Sequence, residues 1–370
     1  MKDLIKIKPR EQVGAATYNK YKFQIAAAIE ILIELMKTGG DFWLLMDYLE
    51  DVVVIEDYDK EQSIISFYQV KSKEKNSITI GNVISEKFFN KMHYNISSFR
   101  DHECNSTLLT NCGINFNSSV VNDTIKVNLA DYLNTVVNTG NDEKDKKENE
   151  FRESKKKEII ASIARTEGIE ESEVNLSKFF LLTTTLTLAD YDRQITGAFT
   201  DYIKEAEPNL TATSVDTIKD KVWKDLESKN KHVISGNAID EKTIVSNKGI
   251  TRKGFIDIMN IQKFVQFPSY NDFSNFCSEY GSSFGTTPVK DKQRYMEFQT
   301  NCIVDERKTL TLIYELFNEV EESFIELPKE DLLDSLDNIV KEDSRVTNLK
   351  LYDKYKDIFH ALYLYKKLED

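Results

Sequence analysis

The chain has 370 residues, of which 40% are hydrophobic and 30% charged, and its formal net charge is −13. This is the composition of a soluble globular protein with two domains, or with one core and a large extension. No segment approaches the roughly 20 apolar residues that a membrane helix needs, so we predict a cytoplasmic protein without membrane contact. The acidic charge also excludes a protein that coats DNA by bulk electrostatics, although it allows a local basic groove.

The four cysteines are scattered along the chain, at Cys104, Cys112, Cys277 and Cys302. None forms a CxxC pair, and the four histidines do not cluster near them. This spacing argues against a structural zinc site and against a disulfide framework. We therefore predict four buried free thiols.

The first 75 residues predict a helix followed by two strands. Apolar side chains cover most of residues 18–38, so this segment should form a largely buried helix that ends at Gly39 and Gly40. Residues 42–55 are predicted to be extended, residues 56–62 to form a polar turn, and residues 63–72 to form a second strand. In that second strand alternate side chains share one face, namely Ile65, Phe67, Gln69 and Lys71.

Further elements follow in the middle of the chain. We predict a helix over 86–99, a strand over 106–111, an extended piece over 124–127, another segment over 129–133 and a strand-like stretch over 179–188. Residues 141–158 are nearly all charged. They are either an exposed linker or the solvated start of a helix that continues to Ala164.

The remainder of the chain is mainly helical by pattern. The predicted helices cover residues 190–207, 214–229, 255–264 and 290–370, with Ser214 as the N-cap of the second and Pro328 as the only strong breaker in the last. We therefore divide the chain into residues 1–175, an α/β core, and residues 176–370, a mainly helical region. That region would complete the core or serve oligomerisation or partner binding.

Chemistry is concentrated in residues 47–75. If the two predicted strands form a hairpin, Asp51 lies beside Gln69 and Lys71. A carboxylate binds Mg²⁺, a glutamine carbonyl can supply another oxygen ligand, and a lysine ammonium can stabilise charge on a phosphate. This set is what phosphodiester hydrolysis needs. The other nearby acids, Asp47, Glu56, Asp57 and Asp59, are predicted to be turn and surface residues.

Three sequence stretches resemble a known group of nucleases. EDVVV at 50–54 and YQVKSK at 68–73 are similar to the motifs of the PD-(D/E)xK superfamily, which has a restriction-endonuclease-like core with a mixed central sheet. More narrowly, these motifs and the helix within GAATYNKYKFQIAAAIEIL, residues 14–32, resemble the effector endonucleases of CBASS, Lamassu and HerA-linked antiphage systems. The resemblance spans roughly residues 10–265, and its specific motifs lie within the first 75.

The resemblance implies a role for five residues. Asp51 would be the principal metal ligand, Gln69 the second ligand position and Lys71 the catalytic lysine, with Glu50 as a further ligand and Gln24 in a supporting role. The metal would be Mg²⁺, or Mn²⁺ in its place. Gln69 stands where the superfamily commonly has an acid, which leaves the number of metal ions open.

The resemblance also bears on activation and on DNA contact. No SAVED domain, the cyclic-oligonucleotide receptor of CBASS effectors, is recognisable in residues 290–370. We therefore expect activation by a partner ATPase, either SMC-like or HerA-like. Two basic clusters are candidates for contacts to DNA phosphates, and their residues are Lys73, Lys75, Arg252 and Lys253.

The sequence thus predicts a metal-dependent endonuclease that hydrolyses double-stranded DNA with little sequence specificity in antiphage defence. A homo-oligomer is expected, because cutting both strands needs two active sites close together. The main alternative is an inactive nuclease fold that binds DNA or bridges a partner ATPase to it. A nuclease directed at RNA is a third hypothesis.

Overall fold

The structure is a computed structural model that describes residues 18–60, 62–74, 77–117, 119–234, 240–264, 267–279, 288–304, 308–319, 337–343, 345–346 and 348–369. Within these ranges the strands are β1 (Phe42–Tyr48), β2 (Glu50–Glu56), β3 (Ile64–Lys71), β4 (Ser77–Thr79), β5 (Glu103–Thr110), β6 (Gly113–Asn115), β7 (Val120–Val121), β8 (Val127–Asn128), β9 (Phe179–Thr183) and β10 (Gly249–Thr251). The helices are α1 (Tyr18–Thr38), α2 (Ile80–Ser85), α3 (Phe88–Ser97), α4 (Leu129–Asn134), α5 (Asp142–Glu167), α6 (Tyr191–Ala206), α7 (Ala212–Lys231), α8 (Glu241–Lys248), α9 (Arg252–Phe264), α10 (Tyr270–Glu279), α11 (Pro288–Val304), α12 (Lys308–Glu319) and α13 (Leu349–Glu369).

The chain forms two compact units. The first comprises Met1–Pro208 and Lys219–Phe255, and the second comprises Asn209–Ile218 and Ile256–Asp370. Strands β9 and β10, which lie in the range that we assigned to the helical region, belong to the sheet of the first unit. We expected residues 176–370 to complete the core or to serve oligomerisation or partner binding, and these two strands contribute to the core.

The first unit is built on a seven-stranded mixed sheet with the order β10-β1-β2-β3-β5-β9-β8. Strands β3, β5 and β9 run parallel, and the other pairings are antiparallel. A second, three-stranded sheet has the order β4-β6-β7. Together with the helical second unit, this confirms the predicted α/β fold with a mixed central sheet and a mainly helical C-terminal region.

Both faces of the large sheet are buried. One face carries Val53, Ile55, Ile65 and Phe67, which pack in one cluster with Phe99. The alternate residues of β2 are buried as well. Helix α1 contacts β1, β2, β3 and α6, whereas α3 contacts β3, β5 and α5. The sheet therefore fixes the positions of the side chains that end β1 and β3 and begin β2.

Helix α1 matches the predicted C-terminal end, since it ends at Thr38 and Gly39 follows in the left-handed conformation with φ 84°. The predicted extended segment 42–55 is different, because it is two strands joined at Leu49 rather than one. Asp47 and Leu49 adopt positive φ values of 47° and 68°. These two residues reverse the chain without the glycine, proline or asparagine that usually marks a turn.

The charged segment 141–158 is part of helix α5, as one of the two predictions for it stated. It is not solvated throughout, however, because Asp145, Glu148 and Arg152 are buried. The Nε of Arg152 donates to Glu148 Oε1 over 3.0 Å, and its Nη1 donates to the carbonyl of Tyr132 over 3.0 Å. This ion pair explains how a segment with almost no apolar side chains packs against α4.

Smaller predictions had mixed outcomes. Ser214 is not the N-cap of α7, because its own N–H donates to Thr211 Oγ1 over 3.2 Å and Thr211 takes the capping role. Only Val127 of the extended piece predicted over 124–127 is in a strand. Pro328 lies outside the described residues. All four cysteines are buried free thiols, as predicted.

The second unit has one apolar core formed by its helices. Its buried residues come from α9 to α13 and include Phe298, Tyr352 and Phe359. Throughout the chain, none of the helices that the structure describes is long and apolar enough to cross a membrane.

Candidate active site

The β2–β3 hairpin brings together the three residues predicted for catalysis. The antiparallel register pairs Val52 with Tyr68 and Val53 with Phe67, which places Asp51 opposite Gln69. The alternation of β3 puts Lys71 on the same face as Gln69. The hairpin that the sequence suggested is therefore the actual connection between these strands.

The Asp51 carboxylate is half-buried and surrounded by N–H donors. Gln24 of α1 donates from Nε2 to Oδ1 over 2.9 Å. The other oxygen, Oδ2, accepts from Gln69 Nε2 over 2.5 Å and from the Val70 backbone N–H over 2.7 Å. These contacts hold both oxygens of the carboxylate in fixed directions, and they make Gln24 a direct neighbour of the site.

Glu50 is a second half-buried carboxylate beside Asp51. Its Oε2 accepts from the Asp51 backbone N–H over 3.2 Å, and its Oε1 accepts from Asn95 Nδ2 of α3 over 3.4 Å. Burial, assisted by the negative charge of Asp51, raises the pKa of Glu50 to about 8, although Lys91 and Lys71 oppose the shift. Glu50 thus takes up a proton in this environment unless more positive charge is present.

The charge balance at Asp51 is similar. Burial raises the pKa of Asp51, and the ammonium of Lys71 is the largest opposing influence, ahead of the hydrogen bonds from Val70 and Gln69. Two adjacent carboxylates therefore lie in a half-buried environment, and the nearby lysines compensate their negative charge only in part. Such a place favours the binding of a cation.

Lys71 lies at the end of β3 next to the first turn of α3. Its Nζ is 4.6 Å from the ring centroid of Phe88, and its charge acts on both Asp51 and Glu50. The ring orients the ammonium by a cation–π contact. A lysine in this position can meet a phosphate that approaches the carboxylates.

A side-chain clamp fixes the backbone just after Lys71. The Lys73 backbone N–H donates to Asn111 Oδ1 over 2.8 Å, and Asn111 Nδ2 donates to the Lys73 carbonyl over 2.9 Å. The Asn111 N–H in turn donates to the Lys71 carbonyl over 3.3 Å. Asn111 therefore prolongs the β3–β5 pairing through the segment that carries both lysines.

The donor set of this site fits a divalent cation that prefers oxygen ligands. The Oε1 of Gln69 is buried and has no hydrogen-bond partner, while Gln69 Nε2 donates to Asp51 Oδ2. An unpaired buried oxygen beside two carboxylates gives an oxygen-rich set of groups that suits a cation. Mg²⁺ is commonly held by one or two carboxylates and by waters, and Asp51 and Glu50 are two such carboxylates. No group of three or more His, Cys, Asp or Glu residues suited to a metal occurs in the described ranges.

The four predicted phosphate-contact residues have different surroundings. Lys73 is about 40% exposed, with its Nζ 3.7 Å from Glu86, and Lys253 is exposed. Arg252 instead donates to main-chain carbonyls at the end of α1, among them that of Met36 over 3.3 Å. This is a helix-capping role, and it leaves the guanidinium away from the carboxylate site. Lys75 lies outside the described residues.

Sequence reasoning missed two residues that the structure places at the site. Asn95 of α3 contacts Glu50, and no local signal in the sequence could have revealed this. Asp47, predicted to be a turn and surface acid, has a positive φ and a side chain that is 38% exposed, but the β1–β2 register, which pairs Met46 with Val52 and Tyr48 with Glu50, also places it near Asp51. A tight turn within DYLED would have been the signal for Asp47.

A mixed sheet that carries an acid, an amide and a lysine on neighbouring strands defines a nuclease-like α/β core. The sequence comparisons agree with this class. Residues 12–230, more than half of the chain, match a family model described as the Cap4 dsDNA endonuclease domain. The chain belongs to this family.

Solved structures with some likeness to the chain include two SAVED/CARF-domain containing receptors named Cap4. That from Acinetobacter baumannii, bound to the cyclic trinucleotide 2'3'3'-cAAA, is 15% identical over 69% of this chain and 49% of its own, with a TM-score of 0.39. That from Moraxella osloensis is 16% identical over 67% of this chain and 48% of its own, with a TM-score of 0.37. The chain thus spans about half the length of these proteins. Comparison with curated proteins gives no match.

Proposed function

We propose that this protein is a Mg²⁺-dependent endonuclease that hydrolyses phosphodiester bonds of double-stranded DNA with little sequence specificity, as the effector of an antiphage defence system. The observation that carries the proposal is the contact between the half-buried Asp51 carboxylate and Gln69, beside the Lys71 ammonium. Membership of the Cap4 dsDNA endonuclease family supports the choice of DNA as substrate.

In this proposal Asp51 and Gln69 hold the cation, Mg²⁺ or Mn²⁺, and Glu50 contributes from the adjacent position. When bound, the cation polarises a phosphoryl oxygen and lowers the pKa of a water molecule. Asp51 and Glu50 would hold the ion in their ionised forms, since a bound cation would offset the effects that raise the pKa of both carboxyl groups.

The other residues of the site position groups for the reaction. Lys71, held over Phe88, stabilises negative charge that develops on the phosphate. Gln24 fixes one oxygen of Asp51 so that the other faces Gln69. Asn111 holds the main chain of Lys73, which keeps this lysine near the path of the DNA backbone.

Control of the enzyme is the second part of the proposal. A protein with a net charge of −13 has weak general attraction for DNA, so assembly or a partner is needed to hold the substrate. We propose that the active form is a homo-oligomer, because two sites must act on opposite strands, and that an SMC-like or HerA-like ATPase triggers it.

The test is cleavage of supercoiled plasmid in Mg²⁺ by the full chain and by Lys71→Ala, each alone and with the products of neighbouring genes. Lys126→Ala is the matched control, because the Lys126 Nζ also lies over an aromatic ring, 4.8 Å from the Tyr68 centroid. Tyr68 is on the opposite face of β3 from Lys71.

Cleavage that needs Mg²⁺, is lost in Lys71→Ala and is kept in Lys126→Ala would support the proposal. If the folded wild-type chain binds DNA but cuts neither DNA nor RNA under any of these conditions, the chain is instead an interaction module with a nuclease fold. Cutting of RNA alone would assign the site to a different substrate.

A further inference from the structure

A buried lysine lies next to the site on the side of β1. Lys248, the last residue of α8, is 3% exposed, and its Nζ is 3.6 Å from Asp47 Oδ2. Gly249 follows and pairs with Leu45. A Cβ at Gly249 would lie 2.5 Å from Leu45 Cδ2 and 3.3 Å from the Leu44 carbonyl oxygen, so a larger residue would require the Leu45 side chain to move. The fold thereby delivers an ammonium group to the end of β1.

The backbone of Asp47 is in an unusual conformation for a strand residue. Its φ of 47° is in the left-handed region, which is unfavourable for a non-glycine residue, although aspartate tolerates it better than most. Strained residues persist where the surroundings hold them, and they cluster at functional sites. The contact with Lys248 is one such constraint on Asp47.

The position of Asp47 matters because the β1–β2 register, which pairs Met46 with Val52 and Tyr48 with Glu50, places it near Asp51. Like charges on paired strands are unfavourable. The negative charge of Asp51 accordingly adds to the effect of burial in raising the pKa of Asp47. The Asp47 side chain is 38% exposed, so water reaches it. Asp47 thus adds charge to a site that already has two partly compensated carboxylates.

We infer that Asp47 is a further positioning residue of the cation site, acting through a water molecule that the bound ion retains, while the buried Lys248 ammonium compensates its charge. This inference rests on the proposed function, because it concerns the same cation. Mg²⁺ keeps several waters in proteins, and partners outside the direct ligands orient what the ion holds.

The test uses the double variant Asp47→Asn/Lys248→Met of the full chain. It removes the ion pair without changing the net charge and without leaving either group buried and unpaired. Asparagine is also frequent in the left-handed conformation. Replacing a buried pair by neutral residues of similar size is often neutral for folding, so the thermal midpoint should stay near that of the wild type.

The measurement is Mn²⁺ affinity by calorimetry in the absence of DNA. We expect the double variant to bind Mn²⁺ about 10-fold more weakly, the lower end of the usual effect of such partners. The matched control is Asp57→Asn/Lys60→Met, at the other end of β2. Asp57 also has a positive φ, 53°, and is paired with Lys60 over 2.7 Å. The affinity of this control should equal that of the wild type.

The outcomes separate this inference from the proposed function. If Asp51→Asn abolishes Mn²⁺ binding and the Asp47/Lys248 double variant binds as tightly as the wild type, the inference is wrong and the cation site stands. If the wild-type chain binds no Mn²⁺, both the inference on Asp47 and the proposed cation-dependent function are wrong. If the double variant does not fold, Asp47→Gly/Lys248→Met replaces it, because glycine also adopts the backbone conformation of Asp47. The same Mn²⁺ affinities are then expected.

Discussion

The half-buried Glu50 predicts an unusual dependence of stability on pH in the metal-free protein. Its pKa rises from 4.5 to about 8 on folding. Between these values the folded protein holds a proton that the unfolded chain releases, so the contribution of Glu50 to stability is fully present below about pH 4.5 and is lost as the pH rises towards 8. The substitution Glu50→Gln removes this loss, because the amide does not ionise.

The magnitude follows from the pKa difference. One pKa unit corresponds to about 1.4 kcal/mol, so a change from 4.5 to about 8 corresponds to at most roughly 5 kcal/mol. Glutamine offers one acceptor oxygen in place of two, which costs about 1 kcal/mol in lost hydrogen bonding. We therefore expect Glu50→Gln to be about 2–4 kcal/mol more stable than the wild type near pH 8 and no more stable near pH 5.

The assay is urea denaturation of both proteins in the presence of a chelator, at several pH values across this window. Glu74→Gln, a change at an exposed acid, is the control and should follow the wild type. Mg²⁺ should raise the stability of the wild type near pH 8 more than that of Glu50→Gln. Parallel stability curves for wild type and Glu50→Gln would mean that Glu50 is ionised in the folded protein, and the burial argument would be refuted.

Three further substitutions are predicted from the contacts of the first unit. Gly249→Ala should destabilise the protein by about 1–3 kcal/mol, because the new Cβ would lie too close to the Leu45 side chain. The thermal midpoint should fall, and an unchanged midpoint would contradict the close approach of β10 to β1. Arg152→Met should cost about 3–5 kcal/mol in urea denaturation, because it leaves the buried Glu148 without its cation. Gln24→Leu removes the hydrogen bond to the Asp51 carboxylate, and a hydrogen bond to a charged group is worth about 1.5–3 kcal/mol. The rate of DNA cleavage should therefore fall about 10–100-fold. Cleavage at the wild-type rate would exclude a positioning role for Gln24.

The local elements of the first unit could be predicted because their side-chain patterns are strong. The apolar surface of residues 18–38 predicted helix α1, and the alternation of residues 63–72 predicted β3 and the face shared by Gln69 and Lys71. The pairing of Asp51 with Gln69 followed from the short polar turn between the two strands. These features depend on residues close together in the sequence.

The parts that could not be predicted depend on long-range packing or on unmarked backbone conformations. The turn at Leu49 has no glycine or proline, so residues 42–55 were expected to form one strand, and the proximity of the turn and surface acid Asp47 to Asp51 was not expected. The contacts of Asn95 and Lys248 come from helices far along the chain. The buried pair of Arg152 and Glu148 lies within a segment whose composition alone indicates a solvated surface.

The central claim is that the Asp51 carboxylate holds the cation on which DNA cleavage depends. The most direct test is conversion of supercoiled plasmid by the activated full chain, in Mg²⁺ or in chelator, with Asp51→Asn alongside. We predict cutting by the wild type in Mg²⁺ alone, and a rate at least about 100-fold lower for Asp51→Asn at every Mg²⁺ concentration. Cutting by a folded Asp51→Asn at the wild-type rate would contradict the account.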